Sequence, residues 1–174
     1  MTNARTTHRV IPLTLALLAV TSIAVTGCGT TNPGSTLERN RQLVRQMNAE
    51  VWNKGDLDAI AGLFTPDFVL HFLPDGSDTR GIEGLREHVQ ELHEAFPDWS
   101  EDIQRMVAER DLVVIHYVSS GTNQGQWLGE PPTGNRVQVN EMSIFRIEDG
   151  RIAEQWLLPD LSSMQQQLNG AGDG

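Results

Sequence analysis

Cysteine, basic side chains and tyrosine are all scarce in this 174-residue chain. A single Cys cannot close an internal disulfide, and it excludes Cys-based zinc sites such as paired CxxC. Thirteen Lys and Arg stand against 23 Asp and Glu, a formal net charge of −10. So acidic a chain lacks the basic face that phosphate backbones require, so no nucleic-acid partner is expected. P-loop, dinucleotide-fingerprint and nucleophile-elbow patterns are absent, so no cofactor is expected. What is present is a globular composition, 39% hydrophobic and 21% charged, of a length that suits one domain. No internal repeat is visible.

The N-terminus reads as an address. Met1–Arg9 carries Arg5 and Arg9 and no acid, and Val10–Val25 is mostly apolar but interrupted by Pro12, Thr14, Thr21 and Ser22. That run is marginal for a spanning helix, which needs about 20 apolar residues. A basic flank, a short apolar core and small residues describe a secretory signal peptide. Val25-Thr26-Gly27-Cys28 resembles the lipobox of bacterial lipoproteins, in which the Cys is lipidated and becomes the mature N-terminus. The resemblance implies a protein of the bacterial cell envelope, anchored to a membrane through Cys28. Residues 1–27 hold two of the 13 basic residues and no acid, leaving 11 basic against 23 acidic and a net charge of −12. Residues 28–36 then read as a flexible tether, 37–169 as the domain and 170–174 as a disordered tail.

Within the domain, Ser35-x-x-Glu38 has the form of a capping box, and Leu43, Val44, Met47 and Val51 continue a helix at helical spacing. Asp56 caps a short helix, Leu57–Phe64. Phe68–Leu73 reads as a strand. Ile82, Leu85, Val89, Leu92 and Phe96 form one stripe of a third helix, ended by Pro97. The period then becomes strand-like. Strands 102–109 and 112–121 flank Arg110-Asp111, and strands 137–148 and 151–158 flank the hairpin signal Asp149-Gly150. Leu161, Met164 and Leu168 suggest a closing helix with Asp160 as N-cap. Helices first and hairpins later predict an α+β domain, with helices on one face of a curved, mostly antiparallel sheet. A pocket between those layers suits a small ligand.

Three segments carry a family resemblance. They are Val51-Trp52-Asn53-Lys54-Gly55-Asp56-Leu57-Asp58 with Phe64-Thr65-Pro66-Asp67-Phe68, the Gly121-x3-Gly125-x3-Gly129-x-Pro131-Pro132-Thr133-Gly134 run, and Ile144–Ile152 with Pro159-Asp160 and Gln165-Gln166-Gln167-Leu168. Together they resemble the SnoaL-like polyketide cyclases, also labelled ester cyclases, of the NTF2-like superfamily. The resemblance implies an α+β cone with three N-terminal helices and a short closing helix, a deep pocket, and homodimerisation through the sheet. The characterised cyclases close a ring by an intramolecular aldol step, using an Asp on the last strand and a pocket His. Those positions fall at Leu157 and Ser143, neither of which can carry that acid–base role.

In a bulged hairpin register Glu141, Ser143 and Phe145 share a face with Ala153, Gln155 and Leu157, with Glu141 opposite Leu157. A strict two-residue turn would instead pair Ser143 with Trp156. The family's two pocket positions must face the same way, which favours the bulged form. Glu141, His71 and His116 are the candidate acid–base residues; a carboxylate buried among apolar groups can serve as a base near neutrality. Ser143, Phe145, Gln155, Leu157, Trp156 and Asp160 are the candidate pocket residues, Asp160 doubling as a helix cap. Tyr117 faces away from His116 and reads as packing. His88 and His93 lie off the stripe of the third helix and read as exposed. Their five-residue spacing misses the i, i+4 geometry of a helical metal pair, and His71 and His116 lack a third ligand, so no metal is expected. Three functions follow: a pocket for a small, mostly apolar molecule; a cyclase, isomerase or hydrolase; or an envelope protein-interaction module.

Overall fold

The structure is a computed structural model that describes residues 33–170. The signal, the lipobox with Cys28, and residues 171–174 lie outside the described residues. The first helix, α1, spans Pro33–Met47 and runs on through a π-turn at Asn48–Trp52. It therefore begins inside the stretch read as tether, and Ser35 lies within its first turn rather than capping it. A four-residue helix α2 (Ile60–Leu63) leads directly into β1 (Phe64–Phe72). Phe64 thus belongs to the strand and not to the helix. A short strand, β2 (Ser77–Arg80), was not foreseen; it is polar and exposed, and carries no apolar alternation. Helix α3 follows (Gly81–Ala95), then β3 (Ser100–Glu109), β4 (Leu112–Thr122), β5 (Arg136–Glu148), β6 (Arg151–Pro159) and α4 (Leu161–Leu168).

The six strands form one curved, unclosed sheet in the order β2-β1-β6-β5-β4-β3. All neighbours are antiparallel except β1 and β6. Helices α1 and α3 pack against the sheet. Strict alternation on β4 and β5 turns Val113, Ile115, Tyr117 and Ser119 inward with Val137, Val139, Glu141, Ser143 and Phe145. The inward set meets Phe64, Phe68, Leu70, Leu85, Val89 and Phe96 in one core. Each fully buried side chain of this size contributes about 1.5–3 kcal/mol.

The ladder of β1 with β6 is irregular between Phe64 and Val69, and bulges on β3 and β6 reset the side-chain phase. On β3 the register slips between Ile103 and Arg105, leaving Gln104 and Arg105 both exposed. On β6 the extra residue is Ala153: Ile147 pairs with Ile152, and Arg146 with Glu154. The β5–β6 turn itself is the tight two-residue form, with Asp149 and Gly150 both at positive φ (49° and 76°). The bulge therefore sits inside the strand and not at Gly150. It pairs Ser143 with Leu157 and Glu141 with Pro159, two residues from the expected register. The shift is even, so Gln155 and Leu157 still face inward as expected.

Between β4 and β5 the Gly- and Pro-rich segment is held by Asn123, which is 2% exposed. Its Nδ2 donates to the Gly125 carbonyl (2.9 Å), and its Oδ1 accepts from the Thr133 N–H (2.8 Å) and hydroxyl (3.2 Å). The N–H groups of Gln124 and Gly125 both donate to the Ala95 carbonyl at the end of α3 (2.8 and 3.1 Å). That approach admits only glycine: a Cβ on Gly125 would stand 2.2 Å from the Glu94 carbonyl oxygen.

Candidate functional site

The concave face of β3, β4, β5 and β6 carries a polar cluster inside an apolar surround. Tyr117 and Glu141 are direct cross-strand partners. The Tyr117 hydroxyl donates to Glu141 Oε2 (3.3 Å) and lies 3.1 Å from Ser143 Oγ, to which Gln155 Nε2 also donates (3.1 Å). With Tyr117 donating to Glu141, Ser143 is left to donate to Tyr117. The result is a one-way chain from Gln155 through Ser143 and Tyr117 to the Glu141 carboxylate. All four residues are at most 7% exposed. Burial pushes Glu141 up to about 7, against smaller lowering effects from Ser119 and Tyr117. Burial first, and then the charges of Glu141 and Glu101, push the Tyr117 phenol well above its ordinary value.

Glu101, on β3, is a second carboxyl of this face that sequence reasoning missed. Asn48 Nδ2 donates to its Oε2 (2.7 Å) and Trp99 Nε1 to its Oε1 (3.4 Å). Its backbone is clamped reciprocally by Asn53, whose Oδ1 accepts the Glu101 N–H (2.6 Å) and whose Nδ2 donates to the Glu101 carbonyl (3.1 Å). Desolvation of the carboxyl and then the charge of Glu141 raise it to about 8, although one edge of the residue remains partly exposed. Tyr117 packs in the core as its facing implies, and its hydroxyl also meets Glu141 and Ser143; the alternation that sets it opposite Glu141 is visible in the sequence.

Of the expected site residues, Glu141, Ser143, Phe145, Gln155 and Leu157 do converge on one buried face. His71, His116, Trp156 and Asp160 do not. His71 and Trp156 are parallel-strand partners on the outer face, with rings stacked 5.2 Å apart. There His71 Nδ1 meets Asp78 (2.8 Å) and Nε2 meets Glu154 (3.1 Å), and Glu154 also pairs with Arg146. His116 Nε2 lies 3.2 Å from Asn140 Oδ1, also outside. Both His positions alternate with inward Leu70, Ile115 and Tyr117, which fixes them outward. Asp160 is exposed and accepts from the Ser163 N–H (3.0 Å), so it is the helix cap alone. His88 and His93 are half-buried instead of exposed: His88 stands edge-on to Trp52, and His93 Nε2 lies 2.9 Å from the Trp52 carbonyl. Burial lowers the His88 pKa. Among the described residues no group of three or more His, Cys, Asp or Glu could hold a metal ion, and no helix is long and apolar enough to cross a membrane.

A groove of about 350 Å³ opens between the Gly-Pro segment and α4, lined by Trp127, Leu128, Pro131, Leu161, Met164 and Leu168 among others. Trp127 packs edge-on against Phe96 (5.4 Å) and Phe96 against Trp99 (5.3 Å). This aromatic row joins the groove to the indole that reaches Glu101. A second hollow, of about 510 Å³, lies at the opposite strand ends beside Leu37, Asn40, Arg110 and Ile147.

Comparison with known proteins agrees with this architecture. The family described as SnoaL-like polyketide cyclase matches residues 42–168. TsrD of Streptomyces laurentii is similar at 32% identity over 77% of this chain and 96% of that one, with a TM-score of 0.68. A protein of Jannaschia sp. CCS1 described as SnoaL-like polyketide cyclase matches at 25% identity over 83% and 99%, with a TM-score of 0.73. A protein of Catenulispora acidiphila with a ketosteroid isomerase-like fold superposes at a TM-score of 0.64 and 19% identity, over 74% and 92%, a likeness of fold alone. None of the proteins with curated function matches the sequence significantly.

Proposed function

Since the chain belongs to the SnoaL-like polyketide cyclase family, we propose that it is an acid–base enzyme acting on a small, mostly apolar carbonyl compound. Glu141 takes a proton from the carbon beside the carbonyl, and the Tyr117 hydroxyl turns from Glu141 to donate to the carbonyl oxygen as it gains charge. The observation that carries this reading is the buried Glu141–Tyr117 pair, with the carboxyl poised at about 7. A base with a pKa near the working pH is the most effective proton acceptor. A carboxylate base working with a tyrosine donor at the carbonyl oxygen also enolises ketones in ketosteroid isomerase. The Asp of the cyclases, displaced here by Leu157, is thereby replaced by a carboxylate from the neighbouring strand. The test is exchange of α-protons of 2-tetralone, an apolar ketone, in D₂O with the full chain, followed by proton NMR. Glu141→Gln is expected to slow protein-dependent exchange by about 10²–10⁴-fold. Exchange that survives in that variant refutes the assignment.

A non-catalytic ligand holder is the second reading, supported by Leu157 and Ser143 standing where the cyclases have their Asp and His. Co-purification of one unaltered small molecule, with no exchange activity, would select it. In either case the lipobox supports anchoring at Cys28 in the bacterial envelope. Cys28→Ala is expected to move the protein out of the membrane fraction. The outer sheet face exposes Met142, Ile144 and Leu158, and this apolar strip supports pairing of two copies through their sheets.

A further inference from the structure

The hydroxyl of Ser119 has no use in the chemistry above, and although Glu141 lies close enough to feel it, no group meets it at hydrogen-bonding geometry. Ser119 is 0% exposed, and its Oγ makes no hydrogen bond of acceptable geometry. A buried hydroxyl left alone is destabilising, so its position calls for a ligand atom or an ordered water. The surroundings say what kind. Glu101 is its direct cross-strand partner on one side. On the other side Tyr117 pairs with Glu141 and Ser119 with Val139, which makes Glu141 its diagonal neighbour on the same face, within reach of long side chains. Gln155 Oε1, further along this face, is a second buried acceptor with no partner.

We propose that Glu101, Ser119 and Glu141 together form a binding position for a neutral hydroxyl group carried on an apolar frame: an alcohol, an enol or a phenol. The proposal adds a hydroxyl to the carbonyl compound proposed above and rests on that reading of the site's location. A protonated Glu101 carboxyl and the Ser119 hydroxyl donate to the ligand oxygen, and the ionised Glu141 accepts the ligand's O–H. A carbonyl oxygen could use only the donors, and a carboxylate would meet the negative charge of Glu141; a hydroxyl satisfies all three groups. Asn48 and Trp99 each hold one Glu101 oxygen, and Asn53 fixes its backbone, so Glu101 acts from a set position.

The test uses the full chain labelled with carbon-13 at the Glu carboxyls, titrated with 2-naphthol and, separately, with naphthalene, and read at the Glu101 and Glu141 signals. Saturable shifts are expected with 2-naphthol at a Kd about 10-fold or more below that for naphthalene. Ser119→Ala is expected to reduce that preference about 3–10-fold, the range for one hydrogen bond. The variant should keep the wild-type Tm or exceed it, because the hydroxyl it removes has no partner. Glu101→Gln, which cannot ionise, should keep the preference up to pH 8.5, whereas the wild type loses it as Glu101 deprotonates. Equal affinity for the two probes, binding of neither, or a preference unchanged in Ser119→Ala overturns the proposal. A preference lost only in Tyr117→Phe and Glu141→Gln overturns it while sparing the proposed function. A preference that behaves as expected in a protein with no α-proton exchange overturns the proposed function and upholds the hydroxyl site.

Discussion

Substituting Glu141 by Gln should stabilise the protein at alkaline pH and leave it unchanged in acid. The folded carboxyl holds its proton up to about pH 7, against an ordinary value of 4.5. Between those values the folded state binds a proton that the unfolded chain has released. Stability therefore falls as pH rises through that window, and the full penalty applies above it. At 1.36 kcal/mol for each pKa unit, the penalty is about 3 kcal/mol. For a domain of this size that corresponds to about 6–12 °C in Tm. Glu101 acts in the same direction, but its partly exposed edge reduces its share, and its shift depends in part on the charge of Glu141. His88 opposes both: its lowered pKa withdraws stability as pH falls below the ordinary value of 6.5. The informative quantity is thus the difference between Glu141→Gln and wild type, which cancels His88. Urea or thermal denaturation at half-unit steps from pH 4.5 to 8.5 measures it. The difference should be near zero at pH 4.5 and grow to about 3 kcal/mol in favour of the variant by pH 8. A variant less stable than wild type at pH 8, or a difference that does not change with pH, refutes the argument that burial raises this carboxyl.

Four further outcomes follow. Asn123→Ala removes the side chain that joins Gly125 to Thr133 and leaves a buried N–H unpaired, so it should cost about 2–3 kcal/mol by chemical denaturation. Gly125→Ala drives a methyl into the α3 carbonyls and should cost about 3 kcal/mol or more. Gly62→Ala, on open helix surface with nothing within 4 Å, should gain about 0.5–1 kcal/mol. For the pairing of copies proposed above, the double variant Met142→Lys/Leu158→Lys places like charges on the outer face and should shift sedimentation from dimer to monomer without lowering Tm.

The helices and the strands of the meander were legible because their periods are strong, and the facing of β5 against β6 was legible because parity survives an even shift. Ala153 was not, since nothing in Arg151–Gln155 marks which residue is the extra one. Glu101 was hidden twice over: it sits at the very start of β3, and the slip at Gln104 breaks any parity extrapolated from Ala108. His71 and His116 drew attention as rare polar residues in apolar strands. Their alternation with Leu70, Ile115 and Tyr117 already placed them on the other face, and that alternation outweighed residue type. Strand β2 escaped because a four-residue polar edge has no hydrophobic signal to read. The carboxyl–phenol pair was within reach: Tyr117 and Glu141 both fall on the inward phase of two strictly alternating strands.

The parallel pairing of β1 with β6 also sets an order in time. β1 enters the chain early, but its inner neighbour is complete only at Pro159. Until then one long edge of β1 stays open, an invitation to foreign strands. The β3–β6 meander, built from adjacent segments, can assemble first and offer β6 as the template on which the N-terminal helices and β1 settle. A chain released or cut before residue 151 would keep most of its core residues and still lack the strand that joins β1 to the rest of the sheet.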